Sequence, residues 1–182
     1  LFSGRGIGFN PIGKIEILED FCNCYGVVLG GYIPQDTSRL FTGKIHGGGH
    51  SISDLYMDFW DSEPTGLVDT IAKTGVIDSL SFKRYEISRE EGNVNKVGAL
   101  AGVNMGTVSH VDMDVLFKKT FDGAGLVYDN KGLIEECSVK GIFGGSSLAG
   151  ISVINDGDIL NVNVDAAWSD SSGLVGGIAL VN

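Results

Sequence analysis

The sequence lacks any apolar run that approaches the roughly 18 residues of a membrane span, and no signal peptide is visible. Positive charge is scarce: 13 Lys and Arg stand against 23 Asp and Glu, which gives a net charge of −10. A chain this acidic is not expected to bind nucleic acid or to insert into an anionic membrane. A hydrophobic content of 43% argues against disorder and predicts one domain with a substantial core.

Cysteine is also scarce, with three in 182 residues. Cys22 and Cys24 are separated by one residue, and no second Cys or His pair has the spacing of a metal site. We therefore expect free thiols there, and no metal or cofactor. Cys137 lies at an apolar position of a repeat, where it is expected to fill space in the core.

Helical periodicity is missing too, and the 28 glycines would each cost roughly 1 kcal/mol inside helices. What the sequence contains instead is a repeat, Gly-x-(Ile/Val)-x-x-φ-x-φ, where φ is apolar. It begins at Gly75, Gly106, Gly132 and Gly157, and Ser51–Met57 is interpreted as an earlier copy without the glycine. The spacing between the first apolar residues of successive copies is typical of solenoids. These residues are at positions 52, 77, 108, 134 and 159.

Within each copy the last apolar positions alternate with polar ones, which indicates a strand with one buried face. The Asn-x-Gly turns that begin at Asn104, Asn130 and Asn155 are expected to use left-handed backbone, which both residue types tolerate. One copy cannot bury its own apolar face, whereas stacked copies form a continuous core. The predicted fold is therefore all-β: a right-handed parallel β-helix (solenoid) with about 25 residues per coil.

Residues 1–48 follow the repeat poorly and are predicted to form irregular N-terminal coils or a cap with an insertion. Regular coils over residues 49–182 are expected to continue from them, with a polar loop near residues 88–95. Because the chain starts with Leu1 and stops inside a repeat, we expect the natural polypeptide to be longer. Its open coil is expected to pair with another molecule.

The repeat register predicts which side chains point inward and which form an outer ladder. The inward set is Ile52, Leu55, Met57, Ile77, Leu80, Phe82, Val108, Val111, Met113, Ile134, Cys137, Val139, Ile159, Val162 and Val164. One residue further along, successive coils carry charges of alternating sign, expected to form a ladder that fixes the register: Asp58, Lys83, Asp114, Lys140 and Asp165.

Three segments resemble bacterial surface proteins with GLUG repeats: Phe9-Asn10-Pro11-Ile12-Gly13, residues 41–55, and Gly98-Ala99-Leu100-Ala101-Gly102-Val103-Asn104-Met105-Gly106. The resemblance covers nearly the whole chain. Glu136-Cys137 lies where that family has Asn-Cys, whereas Ile45-His46-Gly47-Gly48 replaces the family's Phe-Asp-Gly-Asn. The resemblance implies a secreted adhesin or stalk, and it brings no catalytic residues with it.

A ligand-binding patch of aromatic and acidic side chains is predicted at Tyr56, Asp58, Trp60 and Asp61, the combination suited to a sugar. No Ser/His/Asp constellation or phosphate-binding loop is present, so no catalytic residue is predicted. His46 and His50 are four residues apart, but at a corner rather than on a helix, so a structural role is expected. Asn155-Asp156-Gly157-Asp158 lacks the remaining ligands of a calcium loop.

The expected function is that of a non-enzymatic β-helical segment of a bacterial surface or secreted protein, acting in adhesion, in recognition or as a stalk. Its partners would be a surface glycan or a host protein. The alternative is a phage tail-spike or tail-fibre β-helix on the virion, which binds or depolymerises host glycan. A long parent with a cell-wall anchor would favour the first function, and a trimeric parent with a virion-binding head the second.

Overall fold

The computed structural model describes residues 40–58, 64–88, 96–118, 122–169 and 173–182. These residues form 18 β-strands, and none of them forms a helix long and apolar enough to cross a membrane. All the strand pairings between them are parallel. The strands form three sheets, in which each interior strand pairs with its counterparts one coil earlier and one coil later, and each strand at a sheet end pairs with one neighbouring strand among the described residues.

The first sheet contains, in spatial order, β1 (Leu40–Phe41), β4 (Val68–Ile71), β7 (Ala101–Asn104), β10 (Val127–Asn130), β14 (Ser152–Asn155) and β18 (Ala179–Val181). The second contains β2 (Lys44–Ser53), β3 (Tyr56–Asp58), β5 (Val76–Ser88), β8 (Thr107–Phe117), β11 (Leu133–Glu135), β12 (Ser138–Gly144), β15 (Asp158–Leu160) and β16 (Asn163–Ser169). The third contains β6 (Lys96–Gly98), β9 (Asp122–Ala124), β13 (Ser147–Ala149) and β17 (Val175–Gly176). The fold is thus the predicted parallel β-solenoid.

The coils are not of equal length. Ile45, Ile77, Val108, Ile134 and Ile159 are register partners in successive coils, so the steps are 32, 31, 26 and 25 residues. The later coils have the predicted length of about 25 residues. The polar loop predicted near residues 88–95 lies almost entirely outside the described residues, as do residues 1–39, and it stays a prediction.

The register predicted for the first coil is wrong. Ile52 pairs with Phe82, and Ile45 takes the place beside Ile77 that the sequence pattern gave to Ile52. The copy of the repeat begins at Gly43, seven residues earlier than the sequence indicated. A register shift between His46 and His50 inserts two extra residues into β2 and hides the match. The expected boundary at residue 48 lies inside β2.

The core consists of columns of apolar side chains that run through the coils. Ten of the predicted inward residues are buried: Met57, Ile77, Leu80, Phe82, Val108, Val111, Met113, Ile134, Cys137 and Val139. Leu55, Ile159, Val162 and Val164 are half-buried and pack against the same core. Ile52 is 42% exposed although it is the register partner of the buried Phe82, because it lies on β2, which pairs only with β5 among the described strands.

An aromatic column extends this core at the far end of the second sheet. The ring centroids of Phe117 and Phe143 lie 5.0 Å apart, and so do those of Phe143 and Trp168. All three residues are register partners in successive strands. The stack therefore ties three coils together at separations suited to favourable ring contact.

The repeat glycines are needed for a reason that the sequence did not reveal. None of Gly106, Gly132 and Gly157 has a positive φ, so the prediction of left-handed backbone at these turns is wrong. A Cβ at each would lie 2.2 Å from the carbonyl oxygen of the repeat glycine one coil earlier. These positions are restricted to glycine because successive backbones approach too closely for any side chain.

The left-handed residues lie at the next corner, where the second sheet bends. Ser79, His110, Glu136 and Asn161 occupy the fourth position after each repeat glycine, and all have φ between 51° and 53°. The backbone of these four coils therefore makes the same turn, even where the residue is one that rarely adopts this conformation.

A ladder of asparagines runs along the inside of the first sheet. The Nδ2 of Asn104 donates to Oδ1 of Asn130 at 2.8 Å, and Asn130 donates in the same way to Asn155 at 2.8 Å. Asn155 in turn donates to Asn182 at 2.6 Å. Asn104 and Asn130 are completely buried, and Oδ1 of each also accepts a hydrogen bond from the backbone N–H two residues later. The ladder thus satisfies polar groups that would otherwise be costly to bury.

Candidate functional site

The outer face of β5, β8, β12 and β16 presents three columns of side chains, each with one residue per strand. Strand alternation puts these residues outward because their neighbours in sequence fill the core. The hydroxyl column is Ser81, Asp112, Ser138 and Asn163; the charge column is Lys83, Asp114, Lys140 and Asp165; the third column is Glu86, Leu116, Ile142 and Ala167. We call this surface the outer polar face.

In the hydroxyl column, one carboxylate joins three coils. Asp112 accepts a hydrogen bond from the Ser81 hydroxyl at 3.3 Å through Oδ2 and another from the Ser138 hydroxyl through Oδ1. Both serines are register partners of Asp112. The carboxylate is therefore held in place by its neighbours on both sides.

The charge column confirms four of the five residues of the predicted ladder. Lys140 Nζ lies 3.3 Å from Asp114 Oδ2, and Asp165 is the register partner of Lys140 on its other side. Asp58 is wrongly placed by the prediction: its backbone pairs with Ser88, because the first coil has a different register.

A bulge in β5 brings a second cation close to this column. Lys83 and Arg84 together occupy the place opposite Asp114, since the register shifts between Phe82 and Tyr85. Arg84 has a φ of 54° and donates through Nε and Nη2 to the two carboxylate oxygens of Asp54, both at 2.6 Å. This forked hydrogen bond lowers the pKa of Asp54 and raises that of Arg84.

Between the hydroxyl and charge columns lies an open groove of about 370 Å³ that runs across the four strands. Phe82, Met113 and Val139 line it along with the two columns. The side chains that line it include two ammonium groups and three carboxylates. Such a surface offers hydrogen-bond donors and acceptors in a fixed order along the solenoid axis.

The predicted ligand patch is described only in part. Tyr56 pairs with Glu86 and is 40% exposed, so it extends the third column into the first coil. The side chain of Asp58 and the whole of Trp60 and Asp61 lie outside the described residues. The patch therefore stays a prediction.

The histidines have separate positions. His46 contacts Asp78 through Nδ1, while His50 is exposed on the other side of the two-residue insertion. Within the described ranges, no group of three or more His, Cys, Asp and Glu side chains could hold a metal ion.

Two other residues singled out in the sequence lie in the body of the solenoid. Asn155 belongs to the asparagine ladder, and the backbone N–H of Asp156 donates to the Asn130 carbonyl, so this segment forms an ordinary corner. Cys137 is buried as predicted, and its burial raises the thiol pKa to about 11. At neutral pH it therefore remains a protonated thiol, as expected for a space-filling residue.

Sequence reasoning missed the asparagine ladder and the hydroxyl column. A signal for the ladder is present, because Asn stands two residues before each of the last three repeat glycines. The hydroxyl column has a weaker signal, since it combines Ser, Asp and Asn. These residue types share hydrogen-bonding capacity but are common on any surface.

No family model matches this chain, and no solved structure matches it. Two curated proteins are similar to segments of it. Halomucin of Haloquadratum walsbyi is 37% identical over 84 residues, which cover 45% of this chain and 1% of halomucin. A protein of Evansella cellulosilytica, whose name describes it as a Gly-rich membrane protein, is 31% identical over 80 residues, which cover 44% of this chain and 9% of that protein.

Proposed function

We propose that this chain is a non-enzymatic solenoid segment of a cell-surface or secreted protein, where it serves as a stalk or a recognition surface. The observation that carries the proposal is the common register of the core columns, the asparagine ladder and the charge column. Three sets of contacts with the same spacing resist bending and slippage, so the described coils are suited to act as a rigid rod.

The comparisons support this assignment. The names of the two relatives describe a mucin and a membrane protein, and both names are consistent with a location at the cell surface. The resemblance to GLUG-repeat surface proteins supports the same location. The matched segments are small parts of much longer proteins. We therefore propose that this chain is a stretch of coils within a larger protein.

The location can be tested on intact cells that express the full-length parent. Antibodies raised against this chain should label the unbroken cells, and mild external protease should remove the signal while a cytoplasmic marker stays intact. Labelling only after the cells are broken would contradict the proposal.

A glycan array can separate recognition from a purely mechanical role. If the predicted patch binds sugar, the purified chain should retain specific glycans, and Tyr56→Ala with Trp60→Ala should abolish the retention. Ser53→Ala in the same coil serves as the control and should leave it unchanged. Binding that survives the double substitution would remove the patch from the proposal, and chain shortening of a bound glycan would show an enzyme.

A further inference from the structure

The charge column has an order that becomes complementary to itself when it is reversed. From one end it reads cation, anion, cation, anion: Lys83, Asp114, Lys140, Asp165. If the same face of a second copy approaches with its solenoid axis antiparallel, Lys83 faces Asp165 and Asp114 faces Lys140. If the axes are parallel, each charge faces its own like charge, which is unfavourable.

Reversal also brings complementary residues of the two copies together in the other two columns. In the antiparallel arrangement Asp112 faces Ser138 of the second copy, so the carboxylate meets a hydroxyl group rather than another carboxylate. In the third column Leu116 faces Ile142, which is 48% exposed in one chain. The match in the third column is limited to this central pair, because Glu86, which accepts a hydrogen bond from Lys118 of its own chain, faces Ala167 of the second copy.

We propose that the outer polar face binds the outer polar face of a second copy of this chain, with the two solenoids antiparallel. The two-fold axis would lie between the faces, perpendicular to the solenoid axes and midway between β8 and β12. Such a contact is isologous, because each residue meets its partner twice. The inference goes beyond the proposed function and does not depend on where the parent protein is located.

The size of the face sets the expected strength. Four strands about 4.8 Å apart and three columns roughly 7 Å apart give a patch of about 400 Å² per copy. A stable interface needs about 800 Å² per partner, so this contact is weak and reversible. The net charge of −10 adds long-range repulsion between copies, so comparisons must be made at one ionic strength.

Sedimentation equilibrium at up to millimolar concentration tests the charge pairing. The wild type should form dimers, and Lys140→Asp should weaken them at least about tenfold, because two carboxylates then face Asp114 residues across the axis. Adding Asp114→Lys restores the complementary order, so the double variant should dimerise within about threefold of the wild type.

Lys73→Asp is the matched control, because Lys73 is exposed in a turn away from this face. It changes the net charge equally and should leave the dimer unchanged. Circular dichroism should show that all variants are folded. A wild type that stays monomeric, or a Lys140→Asp variant that dimerises as the wild type does, would overturn the proposal.

Cross-linking tests the orientation. Chains with Ser81→Cys and chains with Asn163→Cys, both with Cys22 and Cys24 replaced by serine, are mixed and treated with a short bis-maleimide. In antiparallel dimers the two positions face each other, whereas like positions lie about three strand spacings apart, roughly 14 Å along the axis. Mixed products should therefore dominate, and a predominance of 81–81 and 163–163 products would contradict the antiparallel arrangement.

Discussion

At the residue scale, one corner of the repeat holds residues other than glycine in a left-handed backbone conformation. Four residues of unrelated chemistry, Ser79, His110, Glu136 and Asn161, all have a left-handed conformation. For residues other than Gly, Asn and Asp this conformation costs about 1–2 kcal/mol. The core packing on either side maintains the strain, because Val108 and Val111 are completely buried around His110.

Substitution of His110 tests this strain. His110→Gly should match or exceed wild-type stability, since glycine adopts a positive φ freely. His110→Val should lower the free energy of unfolding by about 1–2 kcal/mol, because a β-branched side chain tolerates this conformation worst. Urea denaturation measures both, and equal stabilities would show that the corner is not left-handed in solution.

The repeat glycines make a second prediction at this scale. Gly132→Ala puts a methyl group against the carbonyl oxygen of Gly106 and should cost about 1–3 kcal/mol of stability. Gly177→Ala is the control, because a Cβ there meets nothing within 4 Å. Thermal unfolding of both variants provides the measurement. A Gly132→Ala protein with the same melting temperature as the control would refute the close backbone approach.

The repeat glycines can be predicted from the sequence, whereas the left-handed corner cannot. Repeat glycines are visible because glycine recurs, although the reason for them becomes clear only once neighbouring backbones are in place. The left-handed corner is invisible, since Ser, His, Glu and Asn share no property that a pattern search would use. The constraint there is on the backbone and leaves the side chain almost free.

At the scale of the strand, the asparagine ladder fixes how neighbouring coils align. Asn130 accepts from Asn104 and donates to Asn155, so a shift of one strand by one residue would separate the amides from their partners. Because the buried amides then lose their partners, register errors are penalised at every rung.

Asn130→Asp tests the ladder. A carboxylate at position 130 cannot donate to Asn155, and burial raises its pKa above the value of about 3.9 in the unfolded chain. The variant should therefore be least impaired below pH 4, and the loss should grow as the pH rises, to about 3 kcal/mol or more at pH 7.

Asn163→Asp is the matched control for that experiment, because Asn163 lies exposed on the outer polar face. Its stability should stay within about 0.5 kcal/mol of the wild type across the same pH range. Denaturant titrations of both variants at several pH values provide the measurement. A loss for Asn130→Asp that does not depend on pH would contradict a buried amide ladder.

Strand pairing was predictable where the repeat is uninterrupted. The coils anchored at Ile77, Val108, Ile134 and Ile159 pair as the sequence pattern predicts. The first coil was misread because Gly47, Gly48 and Gly49 accommodate an insertion within a strand. An extra pair of residues leaves the inward and outward alternation intact, so periodicity alone could not detect it.

At the scale of the whole molecule, the stacking of coils aligns polar, charged and apolar side chains in columns that no single coil contains. The charge column could be predicted because its residues follow the core positions directly. The hydroxyl column and the third column beside it, and the residues that meet when these columns are reversed, depend on registers known only from the structure. The proposed ligand patch was predicted from neighbours in sequence, and Tyr56 is the one member whose side chain is described.

A distance across the stack tests the common register most directly. Ser51, Ser81, Asp112, Ser138 and Asn163 are register partners in five successive coils, so residues 51 and 163 are four strand spacings apart. Spin labels on Ser51→Cys and Asn163→Cys, with Cys22 and Cys24 replaced by serine, should be measured by pulsed dipolar spectroscopy. The labelled chain is diluted in unlabelled protein so that only distances within one chain contribute.

We expect a single narrow distribution centred near 19 Å, broadened only by the label linkers and lost in denaturant. A broad distribution, or one centred beyond about 30 Å, would mean that these five strands do not stack in one register, and it would contradict the solenoid on which both proposals depend.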